Sequence, residues 1–519
     1  MKVLIIAERF HPEEFIVNDL AQEWAAQGFE VDVLTQAPSY PFGKVFAGYS
    51  NRLWSRERWN NVDIFRVFTV TGYRESLFKK LLGYFYFAAA GSVAALAIGG
   101  KYDRVFVYDT GPLTMALPAV FLRFFRRKDV TFWTQDVWPD MVYAYGFKKT
   151  PLMEFFLDNL VRLIYSGSDR IFISCEGFRA RVAPYAPGKP IRWFPNWPTV
   201  TPGEGSDLAP VDLGPGFHFT FAGNVGKLQN LPNILRGFAM ARALASDIRL
   251  NIVGDGSALA ELKETAAREN IPGVVFWGRK KRTEMPGFFR ASDAMIVSLQ
   301  DDPIFAATVP AKFQAYLAFS KPIFAVIKGD VKDMVERHGV GLYAAPESPE
   351  SIRDGFLKFR KMPPEELEAF SIKSGELLNK FYDREKIIAG MTDLMVGATR
   401  RAAPAGKIKI FHVLECGDLS GCGRLVASIC NGLDPARFET AVVYAVRPGA
   451  GKEAFEAQFA SHVRKIHLPA MVRPISPRKD LAAFLELKRL FSRENPDAVH
   501  LHSSKAGFLG RYAARWAGV

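Results

Sequence analysis

The sequence predicts an α/β protein made of repeated parallel sheets, and three observations predict it. From residue 1 to 200, and again from 217 to 394, apolar runs rich in β-branched residues alternate with amphipathic runs. This is the pattern of a parallel sheet covered on both faces by helices. Near residue 219 one apolar run stops at the small-residue turn Gly223-Asn224-Val225-Gly226-Lys227, and an amphipathic run takes over as far as Ala245. At residue 407 the pattern starts again. With 519 residues and 49% hydrophobic content, the chain has room for about three domains, each able to bury a core.

In the first series, residues 3–7, 30–35, 63–70, 104–109, 130–134, 170–174 and 191–196 read as strands. Helical patterns cover 15–27 and 113–125, and a loop rich in Pro, Gly and Tyr fills 36–49. Ligands of such sheets sit at the carboxyl ends of the strands. Glu8-Arg9-Phe10-His11-Pro12-Glu13, Asp109-Thr110-Gly111, Gln135-Asp136 and Cys175-Glu176-Gly177 all fall there, so they are expected to line one crevice. Residues 81–100 carry no charge and are flanked by Lys79-Lys80 and Lys101, long enough for a membrane span. Their Ala and Gly content and their place between two strands favour a helix buried in the α/β layer. A surface contact with membrane headgroups through 77–80 and 121–128, where aromatic and basic residues interleave, is the other reading; a solvated helix face fits these two segments equally.

Residues 198–215 lack periodicity and are rich in Pro, Gly, Asp and Ser, which marks a linker. In the second series, strands are expected near 217–221, 249–253, 274–277, 294–298, 322–327 and 341–344. Two glycines at the first turn let a backbone approach a ligand closely, and the following helix start points free N–H groups at it. The stretch is neither a P-loop nor a dinucleotide fingerprint, and taken alone it fits an ordinary strand–helix turn equally well. Three separate turns carry Lys227, Arg279 with Lys280, and Lys312. Gathered in one crevice, these cations would hold a pyrophosphate and stabilise it as it leaves; any one of them fits a surface cation. Residues 363–394 read as helical and are expected to cross back to the first domain.

Residues 400–406 form a second linker, after which 407–414 parallels the first strand of the chain and Gly421-Cys422-Gly423-Arg424 opens a helix. Residues 497–507 read as a further strand and turn, bearing His500 and His502. With no third ligand in view, this pair does not suggest a metal site. Cys175, Cys416, Cys422 and Cys430 lack metal-binding spacing and read as free thiols of a reducing compartment. The N-terminus meets charge within nine residues and reads as a strand rather than a signal peptide, which places the protein in the cytoplasm. The net charge of +13 is uneven: residues 1–200 carry 24 Lys/Arg against 19 Asp/Glu, 201–400 balance at 25 each, and 401–519 carry 18 against 10. Basic outer segments suit an anionic membrane surface or phosphate-bearing substrates. No recognised motif points to nucleic acid.

Together the Gly223–Asn230 turn, the run Val309-Pro310-Ala311-Lys312-Phe313-Gln314-Ala315-Tyr316-Leu317-Ala318 with Lys321-Pro322, the segment Gln135-Asp136-Val137-Trp138-Pro139, and Phe194-Pro195-Asn196-Trp197 resemble a GT-B glycosyltransferase of family 4. Within it they resemble the WbuB/WcaI group of bacterial O-antigen and colanic-acid transferases. The resemblance runs from residue 1 to about 396, and 407–519 is similar to the start of a second family 4 transferase. It implies two Rossmann-like domains facing a cleft, an acceptor domain at 1–200 with a crossover helix at about 380–396, and a donor domain at 216–379. A partial third Rossmann-like domain, at 407–519, would be inactive alone, as expected of a truncated two-enzyme fusion or a docking module. The resemblance also implies a nucleotide-sugar donor, transfer with retention of configuration, and neither metal nor cofactor.

Residue by residue, Gly223, Asn224, Gly226 and Lys227 match the donor diphosphate turn, Pro310 and Lys312 the basic Pro-x-Lys run, and Gly278 with Arg279 and Lys280 the turn beside the base. Asp136 lies where many members have a His-Asp pair near the reacting sugar, with Gln135 in the His place. Asp136, Lys227 and Lys312 are therefore the expected catalytic residues, and Glu8, His11, Glu13 and Gln135 the acceptor-side ones. Two Glu common in the family are replaced by Ala307 and Ala315; Gln314, Asp301 or Asp302 would contact the ribose or sugar instead. The expected activity is transfer of an N-acetylated hexose or deoxyhexose from a UDP donor to a polyprenyl-diphosphate-linked saccharide, by a peripheral protein at the inner face of the cell membrane during surface-polysaccharide assembly. A UDP-sugar 2-epimerase and a non-catalytic nucleotide-sugar-binding partner share the fold and are the alternatives.

Overall fold

The computed structural model describes residues 1–73, 76–144, 146–204, 210–397, 407–415, 417, 421–446, 451–472 and 474–517. Cys416, the linker at 400–406 and part of the linker at 198–215 lie outside them. The chain divides into two compact units, Met1–Met395 and Val396–Val519.

The first unit holds two sheets. One has eight strands: β1 Lys2–Ala7, β2 Glu30–Gln36, β3 Trp54–Trp59, β4 Val62–Val67, β5 Arg104–Asp109, β6 Asp129–Thr134, β7 Arg170–Ile173 and β8 Ile191–Trp193. Their order is β3-β4-β2-β1-β5-β6-β7-β8. The other holds β9 Phe217–Ala222, β10 Ile248–Val253, β11 Val274–Gly278, β12 Ala294–Ser298, β13 Ile323–Val326 and β14 Gly341–Tyr343, in the order β11-β10-β9-β12-β13-β14. Every pairing is parallel except β3 with β4, and the strand order reverses beside β1 and beside β9, the switch points at which α/β sheets bind ligands. Central strands such as β1, β5 and β12 are buried along nearly their whole length, as expected of strands covered on both faces.

Strand β3 was not expected. Its sequence Trp-Ser-Arg-Glu-Arg-Trp alternates between exposed and half-buried positions, and it is an antiparallel edge strand held to β4 by Arg56–Asp63 and Arg66–Glu57 pairs. The expected strand at 191–196 ends earlier, at Trp193.

The larger correction concerns helix Leu77–Ile98, expected to be buried. Only 33% of its apolar window is covered, and Phe78, Phe85 and Val93 are 73%, 72% and 72% exposed. It packs against helix Leu117–Arg126 along one side and presents the other outward. The linker is less loose than its composition suggests: Arg282 bonds Thr199 and Glu204, Arg290 donates to the Pro202 carbonyl, and Val211 packs against Gly287.

The two sheets meet where β7 ends. The Cys175 thiol accepts a hydrogen bond from Val309 N at 3.2 Å, Gly177 N donates to Asp330 Oδ2 at 2.9 Å, and a Cβ on Gly177 would lie 2.8 Å from Ala307 Cα. Helix Arg384–Gly397 returns to the first sheet. There Ile387, Ile388, Met391 and Met395 join the core of Val3, Ile5 and Trp24, Trp24 Nε1 donates to Thr392 Oγ1, and Arg104 Nε donates to the Met395 carbonyl.

In the second unit, β15 Ile408–Leu414, β16 Phe438–Tyr444, β17 Arg464–His467 and β18 Ala498–His502 form a parallel sheet in the order β17-β16-β15-β18. A helix, Ser504–Ala517, follows β18 where only a turn was expected.

The core of the second sheet rests on Phe356, which is fully buried and packs edge-on against Phe219, Phe238 and Phe324 at centroid distances of 4.7, 5.5 and 5.0 Å. Phe356→Ala should cost about 3–5 kcal/mol, read as a lowered urea midpoint with an unchanged slope.

Candidate functional site

At the end of β9 the backbone enters Gly223 at φ +132°, and β10 ends in Gly254 at φ +147°. A Cβ on Gly254 would fall 1.8 Å from the Gly223 carbonyl oxygen, and one on Gly256 would fall 2.5 Å from that of Val225. The two strand-end turns are therefore stacked backbone on backbone, and only glycine fits the lower one. Val225 N bonds to the Asp255 carbonyl, and Ala258 N to that of Val225. The chain then forms a short 3₁₀ turn, Lys227–Gln229, and passes through Asn230 in the left-handed region into helix Leu231–Arg242. Asn224 and Lys227 are exposed on this turn, Gly226 lies between them, and the Lys227 carbonyl accepts from Gln300 Nε2.

Lys312, in helix Ala311–Ala318 with Pro310 at its N-cap, reaches the same turn. Its Nζ lies 2.6 Å from Gln229 Oε1, stands 3.7 Å from the Phe221 ring centre, and would be 3.7 Å from a Cβ on Gly223. Among the described residues no carboxylate pairs with this ammonium, and burial pushes it down to about 7. An uncompensated, partly desolvated cation beside a glycine-rich strand-end turn is a site for an anion. Gly278, at φ +66°, ends β11. Next to it the Arg279 guanidinium stands over the Phe42 ring of the first domain's loop at 5.4 Å, while Lys280 Nζ lies over Trp277 and Phe288.

Gln314 does not take the place expected of it. It is 1% exposed, and its amide is placed to donate to the Pro310 and Ala311 carbonyls of its own helix. Asp301 is paired with Lys328 at 2.6 Å, and Asp302 caps the short helix Pro303–Ala306. Ala307 and Ala315 are both buried, Ala307 against Gly177, leaving no room for a longer side chain at the domain contact. Tyr316 has a role that its sequence context does not reveal. Its hydroxyl accepts from Ala222 N and donates to Ala222 O, at 2.9 and 3.1 Å, and so pins the end of β9 at the start of the turn.

On the first sheet, Glu8, Asp109 and Asp136 form a carboxyl cluster with one guanidinium, Arg9. Burial raises the Glu8 carboxyl, with Arg9 opposing. Burial pushes Asp109 up to about 8, and neighbouring Asp136 and Glu8 add to the rise. Burial pushes Asp136 up to about 6 against Arg9. Glu8 Oε2 and Asp109 Oδ2 are buried without a hydrogen-bond partner. Gln135 accepts from Asn196 Nδ2 at 2.8 Å, and its own amide nitrogen is buried and unpartnered. Arg9 and Asp109, read from the sequence only as crevice lining, are thus part of the electrostatic centre.

Two expected acceptor-side residues serve the scaffold instead. Glu13 Oε1 accepts from Ser39 N and Tyr40 N, which fixes the 36–49 loop. His11 stacks on Trp59 at 4.2 Å, with Arg66 and Glu57 as its charged neighbours rather than Asp136. Cys175 and Gly177, expected in the crevice, are spent on the domain contact, and Glu176 pairs with Arg179.

The second unit supplies what the sequence lacked at the His500/His502 pair. Pairing of β15 with β18 sets His412 opposite His500, and ring nitrogens of His412, His500 and His502 all lie within 4.8 Å of one another. His412 Nδ1 is 3.0 Å from His502 Nε2, and burial holds both rings down at about 4, so they are neutral. Neutral imidazoles are the form that can ligate a divalent cation.

These environments predict opposing pH effects on stability. Asp109 binds its proton more tightly when folded (about 8) than unfolded (3.8). Its stabilisation is full below the lower value and lost as pH rises through the upper one. Asp109→Asn should therefore flatten the fall in stability between about pH 4 and 8. Lys312 acts in the opposite sense and in a higher window: held at about 7 against 10.5, it makes stability rise between about pH 7 and 10.5, and Lys312→Met should remove the rise. Urea titrations across pH read both slopes.

Residues 14–197 match the model for a glycosyl transferase 4-like domain, 215–375 that for glycosyl transferases group 1, and 419–519 that for glycosyltransferase family 4. The chain is 24% identical over 258 residues to a probable glycosyltransferase WbjE of Pseudomonas aeruginosa, covering 48% of this chain and 64% of that protein. It is 36% identical over 115 residues to the UDP-Gal:alpha-D-GlcNAc-diphosphoundecaprenol alpha-1,3-galactosyltransferase of Escherichia coli, covering 22% and 28%. It thus spans less than two thirds of either relative. With the putative colanic acid biosynthesis glycosyl transferase WcaI of Escherichia coli K12 it shares 23% identity over 387 residues, 70% of this chain and 93% of WcaI. Among solved structures, a UDP-forming trehalose-phosphate synthase from Burkholderia vietnamiensis superposes with a TM-score of 0.59 at 13% identity, over 77% of this chain and 96% of that one. A sucrose-phosphate synthase from Thermosynechococcus elongatus superposes with 0.55 at 14%, over 77% and 98%. The chain therefore has the GT-B fold and carries glycosyltransferase domains, a family 4-like domain followed by a group 1 domain and, after them, a further family 4 segment.

Proposed function

We propose that residues 1–395 act as a retaining glycosyltransferase that moves an N-acetylated hexose or deoxyhexose from a UDP donor to a polyprenyl-diphosphate-linked saccharide in surface-polysaccharide assembly. The observation that carries this reading is the Lys312 ammonium, without a carboxylate partner, seated against the Gly223 turn. A diphosphate bound there would meet turn N–H groups and a cation whose proton affinity rises once the anion arrives. The same groups would stabilise the nucleoside diphosphate as it leaves. Gly278 and Arg279 would flank the base, and exposed Lys227 would add charge at the turn.

Asp136 is the residue expected to orient the acceptor hydroxyl, with burial and Arg9 setting its charge. Transfer on the face that the leaving phosphate vacates gives retention, and the departing oxygens can themselves take the hydroxyl proton. No metal is assigned a role. The relative named for UDP-Gal and a GlcNAc-diphosphoundecaprenol acceptor supports the donor and acceptor classes. The exposed apolar helix and its cations support action at the cytoplasmic membrane face. The Gly177 contact accounts for the small size of Ala307, one of the two Ala positions on which the non-catalytic alternative rests.

Thermal melts with UDP-, GDP-, dTDP- and ADP-sugars test the donor site. A ligand at a hundred times its Kd stabilises the native state by about 2.7 kcal/mol, so one nucleotide class should raise the Tm of wild type but not of Lys312→Ala. No shift at millimolar concentration with any of them would overturn the assignment. With a lipid-linked acceptor, Asp136→Asn should lower kcat by about a hundredfold or more, the anomeric configuration of the product should match that of the donor, and EDTA should leave the rate unchanged. Sugar epimerised without acceptor would instead indicate the epimerase.

A further inference from the structure

Neither strand-end site uses the outward side of helix Leu77–Ile98. Together with helix Leu117–Arg126 it forms an apolar groove of about 530 Å³, lined by Phe85, Ala89, Val93 and Phe121, with Pro112 and Trp138 also in its wall. The volume is that of a small-molecule site. The groove runs along the helix from Leu81 to Leu96, about 22 Å at the helical rise.

Two features identify its occupant. First, the groove wall is continuous with the carboxyl cluster. Pro112 follows Gly111, and a Cβ on Gly111 would lie 3.2 Å from Asp136 Oδ2 and 3.5 Å from Trp138 Nε1. An occupant therefore lies next to the reacting end of the first domain. Second, the charge pattern is one-sided. Neither helix contains an Asp or Glu, whereas Lys79 and Lys80 stand exposed at the start of the first and Arg126 and Arg127 end the second. Lys80 and Arg9 both act electrostatically on Glu8 of the carboxyl cluster. An uncharged chain tethered to an anionic head matches this arrangement; a polar peptide or a sugar does not.

We propose that the groove seats the isoprenoid chain of the lipid-linked acceptor, placing its diphosphate near Arg9 and Lys80 and its saccharide beside Asp136. This rests on the acceptor class proposed above and adds where the lipid is held: in the protein, rather than wholly in the bilayer. The acceptor is then drawn by its tail into register with the carboxylates, so a lipid tail should lower KM rather than change kcat.

The test uses the full chain and a benzophenone-tagged farnesyl diphosphate, with labelled peptides mapped by mass spectrometry. Labelling should fall on residues 77–98 and 117–126. Ala89→Trp, which fills the groove from an exposed position, should reduce it by about tenfold, and so should Val93→Asp. Both variants should also raise KM for a farnesyl-diphosphate-linked saccharide without changing kcat, and should leave the rate with a methyl-diphosphate-linked saccharide as in wild type. Labelling elsewhere, or unaffected by both variants, would overturn the proposal. So would an equal loss of binding to phosphatidylglycerol vesicles, which would make the groove a bilayer contact, or a dimer that both variants dissociate. Photolabelling needs no turnover, so a failure of the transferase reading would leave labelling intact and show only in the assays.

Discussion

The arrangement of both sites depends on how closely β7 of the first sheet approaches the 307–309 segment of the second. Gly177 has no side chain because Ala307 occupies that space, Ala307 is small for the same reason, and the Cys175 thiol takes the Val309 N–H that would otherwise be buried unpaired. Burial pushes Cys175 up to about 12, far from thiolate reactivity. Helix Arg384–Gly397, which begins beyond the second sheet and packs on the first, closes the connection from the other side. The strand end that carries Asp136 and the helix start that carries Lys312 thus belong to one compact unit.

The electrostatics of that unit follow from desolvation. Three carboxyls cluster on the first sheet, with Arg9 opposing burial at Glu8 and Asp136, and burial favours their protonated forms. On the second sheet a lysine has neither carboxylate partner nor full hydration, and burial favours its neutral form. The lysine site is therefore poised to gain from an anion brought by a ligand. The backbone supports this. Gly254 and Gly256 lie so close beneath the Gly223–Val225 turn that no side chain fits between them, and Tyr316 holds the strand end from the side.

The long apolar helix shows where composition stops being informative. Its Ala and Gly residues suit close packing, and on one side Gly91 and Gly99 meet Pro118 and Leu122 of the neighbouring helix. Its outward Phe and Val residues are equally compatible with a core, a bilayer or a bound lipid. Which of these covers them depends on the neighbour present, and among the described residues Phe78, Phe85 and Val93 stay exposed.

Much of the fold was legible in the sequence, because alternating apolar runs report strands and helices through local spacing alone. The turn after β9, the cations Lys227, Arg279 and Lys280 after strand ends and the polar strand ends of the first sheet were legible for the same reason: each is set by a few consecutive residues, whereas Lys312, expected on a turn, lies in a helix. What tertiary structure alone decided involves partners far apart in the chain. The antiparallel edge strand β3 has the alternation of a strand only once β4 is there to pair with it. Glu13 and Gln314 read as ligand-facing polar residues, yet backbone groups of the 36–49 loop and of Gln314's own helix claim them. His412 joins His500 and His502 only through sheet pairing across some ninety residues. Local spacing fixes what an element is; burial and partnership, and with them charge state and exposure, are fixed by what packs against it.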